Sequence, residues 1–129
     1  MKALAAFSGF SVNSLEKAKA FYADALGLQV KKDEMGLHLS LPNGGEVFVY
    51  EKPNHVPATY TILNFVVDNI DTAVDELTKK GIKFEQYNTP EMPQDEKGIL
   101  RGLSLHMGPD IAWFLDPAGN ILSLLQDKK

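Results

Sequence analysis

The chain has 129 residues, 44% of them hydrophobic and 23% charged, with a net charge of −4 and no cysteine. That length suits one domain with a real core, and the negative balance gives a phosphate backbone no general electrostatic support. Without cysteine there are no disulfides, thiolate metal sites or cysteine nucleophiles, which fits a reducing compartment. The opening apolar run breaks at Ser8 and Gly9, short of a signal-peptide core, and no stretch nears the roughly 20 apolar residues of a membrane helix. The expectation is a complete cytoplasmic chain whose partner is neither nucleic acid nor membrane.

Residues 4–12 alternate around Phe10 and Val12 and predict a strand. Asn13 is the expected helix cap, with Glu16 reaching back in a capping box, and a helix follows over Ser14–Leu26. Leu15, Ala18, Phe21, Tyr22 and Leu26 share one face of it, and Gly27 stops it. A second strand begins at Leu28–Val30. Met35–Leu41 alternates cleanly, Pro42-Asn43-Gly44-Gly45 is a hairpin turn, and Glu46–Glu51 is the return strand. Lys52–Thr59, with Pro53 and Pro57, reads as a linker.

The plan then repeats. Phe10, Val12, Leu15 and Ala18 recur as Phe65, Val67, Ile70 and Ala73, an offset of 55 residues (Phe10 to Phe65). Such self-similarity signals two copies of one supersecondary unit. Tyr60–Val67 is the strand, Asp68 the cap, Asp71 the acidic first turn, and Asn69–Lys80 the helix. Ile82–Tyr87 is read as a strand. Asn88–Pro109 is a long loop, in which Asp95, Glu96 and Arg101 suggest either a lid with a charged inner face or a solvated surface. Asp110–Leu115 and Ile121–Gln126 form the last hairpin. The order is β-α-β-β-β, twice, an α+β fold with module one at 1–56 and module two at 57–129.

Three stretches in order, Val12–Gly27, Phe65–Gly81 and Phe114–Leu124 (FLDPAGNILSL), resemble the vicinal oxygen chelate superfamily of glyoxalase I, bleomycin-resistance proteins and extradiol dioxygenases. The resemblance covers nearly the whole chain and is specific for the fold rather than for an activity. It implies two βαβββ modules forming a curved mixed sheet around one cavity, and a homodimer. Metal-using members place a His, Glu or Gln on each of four strands. Carried over by spacing from the matched motifs, those positions fall on Phe7, on or next to Phe48, on Ile62 and on Ser123. Phe and Ile cannot coordinate a divalent ion, and a lone Ser hydroxyl is a poor ligand. Neighbouring registers (Ser8, Val47, Val49, Leu63, Leu122, Leu124) are no better. The expectation is no metal and no cofactor.

Strand parity sends Phe10, Val12, Leu63, Phe65, Leu122 and Leu124 to the helices. It sends Phe7, Ser11, His38, Phe48, Tyr50, Ile62, Asn64, Trp113 and Ser123 to the cavity. The aromatics suit a flat ligand, with Asn64, Ser11, Ser123 and His38 orienting its polar edge. The competing reading is that these aromatics simply fill the cavity as core. His38 and His55 are the candidate bases; His55 and His106 also read as solvated loop residues, and the three histidines have no metal-ligand spacing.

Three functions stay open. The first is metal-independent binding of a small aromatic or apolar molecule. The second is a lyase, isomerase or dioxygenase using His38, His55 or a non-standard metal site. The third is an accessory or regulatory module with a filled cavity.

Overall fold

The computed structural model describes residues 1–128, and in it the internal repeat becomes two copies of one sheet. The chain groups into two compact units, Met1–Pro57 and Ala58–Lys129. In the first unit β1 (Ser8–Val12), β2 (Gln29–Lys32), β3 (Leu37–Ser40) and β4 (Glu46–Glu51) lie in the order β1-β4-β3-β2. In the second, β5 (Thr61–Val66), β6 (Leu100–Arg101), β7 (Asp110–Leu115) and β8 (Ile121–Gln126) lie in the order β5-β8-β7-β6. The first strand of each unit runs parallel to the last, and the other pairs are antiparallel. The fold is α+β, as the residue pattern predicts.

In each unit a helix, α1 (Leu15–Ala20) or α2 (Ile70–Lys79), follows the first strand and carries the chain across the sheet. Both helices are capped one residue later than the sequence suggests. Ser14, not Asn13, accepts from Lys17 N at 3.3 Å, and Asn69, not Asp68, accepts from Thr72 N at 3.0 Å. The side chain that reaches the orphan amides decides the cap, and two adjacent polar residues left that choice open. A second cap repeats across the units. Glu51 Oε1, at the end of β4, accepts from Leu15 N at 3.0 Å, and Gln126 Oε1, at the end of β8, accepts from Ile70 N at 2.9 Å. Each closing strand thus fixes the helix that crosses its sheet.

Helix α1 runs on into a π-helical turn over Phe21–Ala25, closed by Leu26 N donating to Phe21 O at 3.0 Å. The wider turn keeps Tyr22 fully buried, with its ring 5.9 Å from Phe10 and 5.0 Å from Phe21. The helix-facing sides of the sheets form the cores. Val12, Leu37, Leu39, Val47 and Val49 are buried in the first unit, and Phe114, Ala112, Leu122 and Leu124 in the second, where Ile70 and Val74 of α2 meet them.

The Asp-Pro-Ala-Gly-Asn turn between β7 and β8 has a direct physical basis. Asp116 is 4% exposed, and its carboxylate accepts from Ala118 N, Asn120 N and Asn120 Nδ2 at 2.8, 2.9 and 2.9 Å. A buried charge is stable when donors surround it in this way.

Two expectations are corrected. Residues 82–87 make no regular strand; only an isolated bridge, Phe84 to Phe114, joins them to β7. The sheet edge is supplied instead by β6, from inside the stretch read as loop, followed by the short helix α3 (Gly102–Leu105). That stretch is also tied down. The Gln94 side chain accepts from Tyr87 N and Asn88 N and donates to Glu85 O and Gly98 O. Asp95 accepts from Lys97 N, Ile99 N and Arg101 Nε. Arg101 pairs in two-pronged fashion with Asp71 of α2 at 2.8 and 2.9 Å, and Lys97 meets Asp71 and Asp75 at 3.1 and 2.9 Å. Asp95 and Arg101 therefore serve an ion-pair network against α2 rather than a charged inner lid.

That network gives a pH prediction. The Arg101 guanidinium, then the Lys97 ammonium, hold the Asp71 carboxyl well below the usual carboxylate range. A group depressed on folding contributes stability that is fully present above its unfolded value near pH 4 and is lost as the pH falls through the folded value. The Asp71 side chain is 48% exposed. Solvent screening therefore keeps the expected cost of Asp71→Asn to about 1 kcal/mol at neutral pH. Urea unfolding of the two proteins should show this gap shrinking below about pH 4; a gap that widens there would contradict the pairing.

Candidate functional site

In the first unit, the face of the sheet away from α1 is built in cross-strand rows. Gly9, Phe48 and His38 form one row, and Ser11 and Tyr50 begin the next. The Phe48 and Tyr50 rings lie 5.9 Å apart at 18°, and the His38 ring is 5.3 Å from Phe48. Phe7 stands just before β1 and is 69% exposed. The linker histidine also joins this face, since Ser11 Oγ and His55 Nδ1 are 2.6 Å apart.

His38 carries a partner that the sequence reading missed. Its Nε2 is 2.7 Å from Asp33 Oδ2, and its Nδ1 is 3.7 Å from Glu46 Oε1. Asp33 sits in the β2–β3 turn, where its other oxygen accepts from Met35 N and Gly36 N at 2.8 and 3.2 Å. The Met35 amide first, and then the His38 side chain, hold its carboxyl below the ordinary aspartate value. An ionised carboxylate only accepts, so Asp33 takes a hydrogen bond from Nε2 and fixes the orientation of the ring. The signal was present as an Asp-x-x-x-x-His spacing across a tight hairpin, but it has meaning only once the turn length is known.

In the second unit the corresponding face carries Asn64, Ser123 and Trp113 in one row across β5, β8 and β7. Ser123 is fully buried, and its Oγ donates to Asn64 Oδ1 at 2.6 Å. Trp113 is half-buried, and Tyr87 meets it edge-on at 5.6 Å and 73°. Partial burial, and then the Glu85 charge, push the Tyr87 phenol above its ordinary value, so it stays neutral. Ile62 is the extra residue of a β-bulge, because Thr61 pairs with Ile121 while Leu63 already pairs with Leu122. His106 stands apart, exposed in left-handed conformation at the end of α3.

The residues at the positions that the family resemblance marks for metal ligands are poor donors. Phe7, Phe48 and Ile62 offer no donor atom, and the Ser123 hydroxyl is buried and committed to Asn64. Among the described residues no group of three or more His, Asp or Glu side chains is placed to hold a metal. No described helix is long and apolar enough to cross a membrane.

The family model for the Glyoxalase/Bleomycin resistance protein/Dioxygenase superfamily matches residues 5–124. No curated protein sequence matches the chain. Among solved structures, TnmS3, an antibiotic-binding protein from Streptomyces sp. CB03234, superposes with a TM-score of 0.66 at 23% identity, covering 99% of this chain and 100% of that one. The fosfomycin resistance protein FosX from Listeria monocytogenes gives 0.69 at 13% identity, covering 99% and 96%. A glyoxalase/bleomycin resistance/dioxygenase superfamily member from Sphaerobacter thermophilus gives 0.66 at 23%, covering 96% and 98%.

Proposed function

Because the chain belongs to the Glyoxalase/Bleomycin resistance protein/Dioxygenase superfamily, we propose that it binds a small aromatic or apolar molecule without a divalent ion at the family's ligand positions. One observation carries this reading: the positions that the resemblance marks fall on Phe7, on or next to Phe48, on Ile62 and on Ser123, whose hydroxyl is committed to Asn64. The sheet faces present the near-parallel Phe48 and Tyr50 rings in the first unit and the Trp113 indole, flanked edge-on by Tyr87, in the second. Ser11 and Asn64 supply polar groups beside them. The likeness to an antibiotic-binding protein supports a sequestering role. We further propose a cytoplasmic homodimer, resting on the family resemblance and on the lack of cysteine.

A second reading is favoured by the histidine geometry. His38 oriented by Asp33, or His55 beside Ser11, has the hydrogen-bonded arrangement of a general base, which suits a lyase or isomerase.

The deciding measurement is metal content and ligand binding on one preparation, purified without a histidine tag. The expected result is no stoichiometric ion by elemental analysis and saturable quenching of Trp113, the single tryptophan, that chelator leaves unchanged. One bound ion per chain, or quenching that chelator abolishes, would overturn the metal-free reading. Turnover lost in His38→Gln or His55→Gln would move the second reading to the front.

A further inference from the structure

Asn64, Ser123 and Trp113 share a row, with Ser123 in the middle. The middle hydroxyl is sealed from solvent and donates to Asn64 Oδ1. A carboxamide has its acceptor on one side and its two donors on the other. Holding Oδ1 toward the sheet therefore turns Nδ2 outward. Asn64 is exposed, and among the described residues no protein acceptor pairs with its Nδ2.

We infer that Asn64 is a specificity-determining hydrogen-bond donor, and that the ligand is a planar aromatic molecule bearing a carbonyl or similar acceptor on one edge. The inference rests on the binding role proposed above and narrows it. Strand spacing sets the size. Asn64 and Trp113 lie two strands apart, roughly 9–10 Å, so a molecule of about two fused rings laid against the indole brings its far edge to Asn64. Val66 and Ile111, on the next row, give that molecule an apolar bed. Ser123 is a positioning residue: it touches no ligand but decides which end of the carboxamide is offered. With alanine at 123, Asn64 is free to present either end, and the preference for an acceptor falls.

The test is a titration of ¹⁵N-labelled protein with coumarin and with naphthalene, which share a two-ring outline but differ in the lactone carbonyl. Coumarin is expected to move both the Trp113 indole signal and the Asn64 side-chain amide pair, and to bind about fivefold tighter, the weight of one hydrogen bond. Naphthalene is expected to move Trp113 alone. Asn64→Leu should erase the difference while keeping naphthalene binding, and Ser123→Ala should reduce it, with well-dispersed spectra confirming that both variants fold. Equal binding of the two probes with the Asn64 amide unmoved would overturn this inference and leave the binding role standing. If neither probe moves Trp113, the binding role itself fails and takes the inference with it.

Discussion

Phe114→Ala is expected to lower the unfolding free energy by about 3–5 kcal/mol, the cost of emptying an aromatic from a closed core. Trp113→Ala, one residue away, is expected to cost only about 1 kcal/mol. The contrast follows from strand parity. Phe114 is fully buried, packs against the Phe84 ring at 5.4 Å and pairs with the equally buried Leu122. Neighbours fixed in β7 and β8 cannot collapse into the space it leaves. Trp113 points to the opposite face, is half-buried and meets only the edge of Tyr87 among aromatic neighbours described here. On the proposed binding role, its removal takes away ligand area rather than core. Urea unfolding followed by far-ultraviolet circular dichroism reads the first effect, and calorimetric titration with an aromatic ligand reads the second. Similar stability losses for the two variants would mean that Trp113 belongs to the core, and the proposed binding face would lose its main anchor.

The same parity explains how much of the protein is legible in its sequence. Period-two alternation places Leu37, Leu39, Val47 and Val49 on the buried side and His38 and Phe48 on the other, and burial and ring contacts follow that division. The strands Glu46–Glu51, Asp110–Leu115 and Ile121–Gln126, each bounded by a turn signal, keep the bounds read from the residues. Residues 82–87 do not, because Ile82 and Phe84 are anchored by burial and a single bridge to β7 does not make a ladder. The short β6 was hidden because Leu100–Arg101 is too brief to show a period. The matching caps by Glu51 and Gln126 were also invisible. The second unit carries a longer insertion, so these two residues do not fall at the offset of 55 that aligns Phe10 with Phe65. At the candidate site the residue types were readable and their commitments were not. Residue type makes Ser123 a candidate ligand contact, and its hydrogen bond to Asn64 is visible only in the structure. Asp33 and Tyr87 likewise gain meaning from partners that no local pattern specifies.

Gly36→Ala is expected to cost about 3 kcal/mol or more, the sum of two separable effects. Gly36 closes the β2–β3 turn at φ +156°, a region that side chains other than glycine rarely adopt, worth about 1–3 kcal/mol of strain. A Cβ there would also lie 2.3 Å from Val49 O and 3.2 Å from the Phe48 ring. The carbonyl belongs to the β3–β4 ladder and cannot retreat without breaking pairing, so overpacking adds about 1–3 kcal/mol. Gly44→Ala supplies the control. Gly44 has φ +89° in the next turn, but nothing lies within 4 Å of its added Cβ, so only conformational strain of about 1–2 kcal/mol remains. The collision also has a local signature. Displacing Phe48 moves the ring that His38 rests on, and distorting the turn loosens the Asp33 carboxylate that orients Nε2. Gly36→Ala should therefore shift the His38 ring resonances as well as the unfolding midpoint, whereas Gly44→Ala should shift the midpoint alone. Equal losses from the two substitutions would show that the β2–β3 turn does not press on β4, and the first unit's aromatic face would not depend on that turn for its shape.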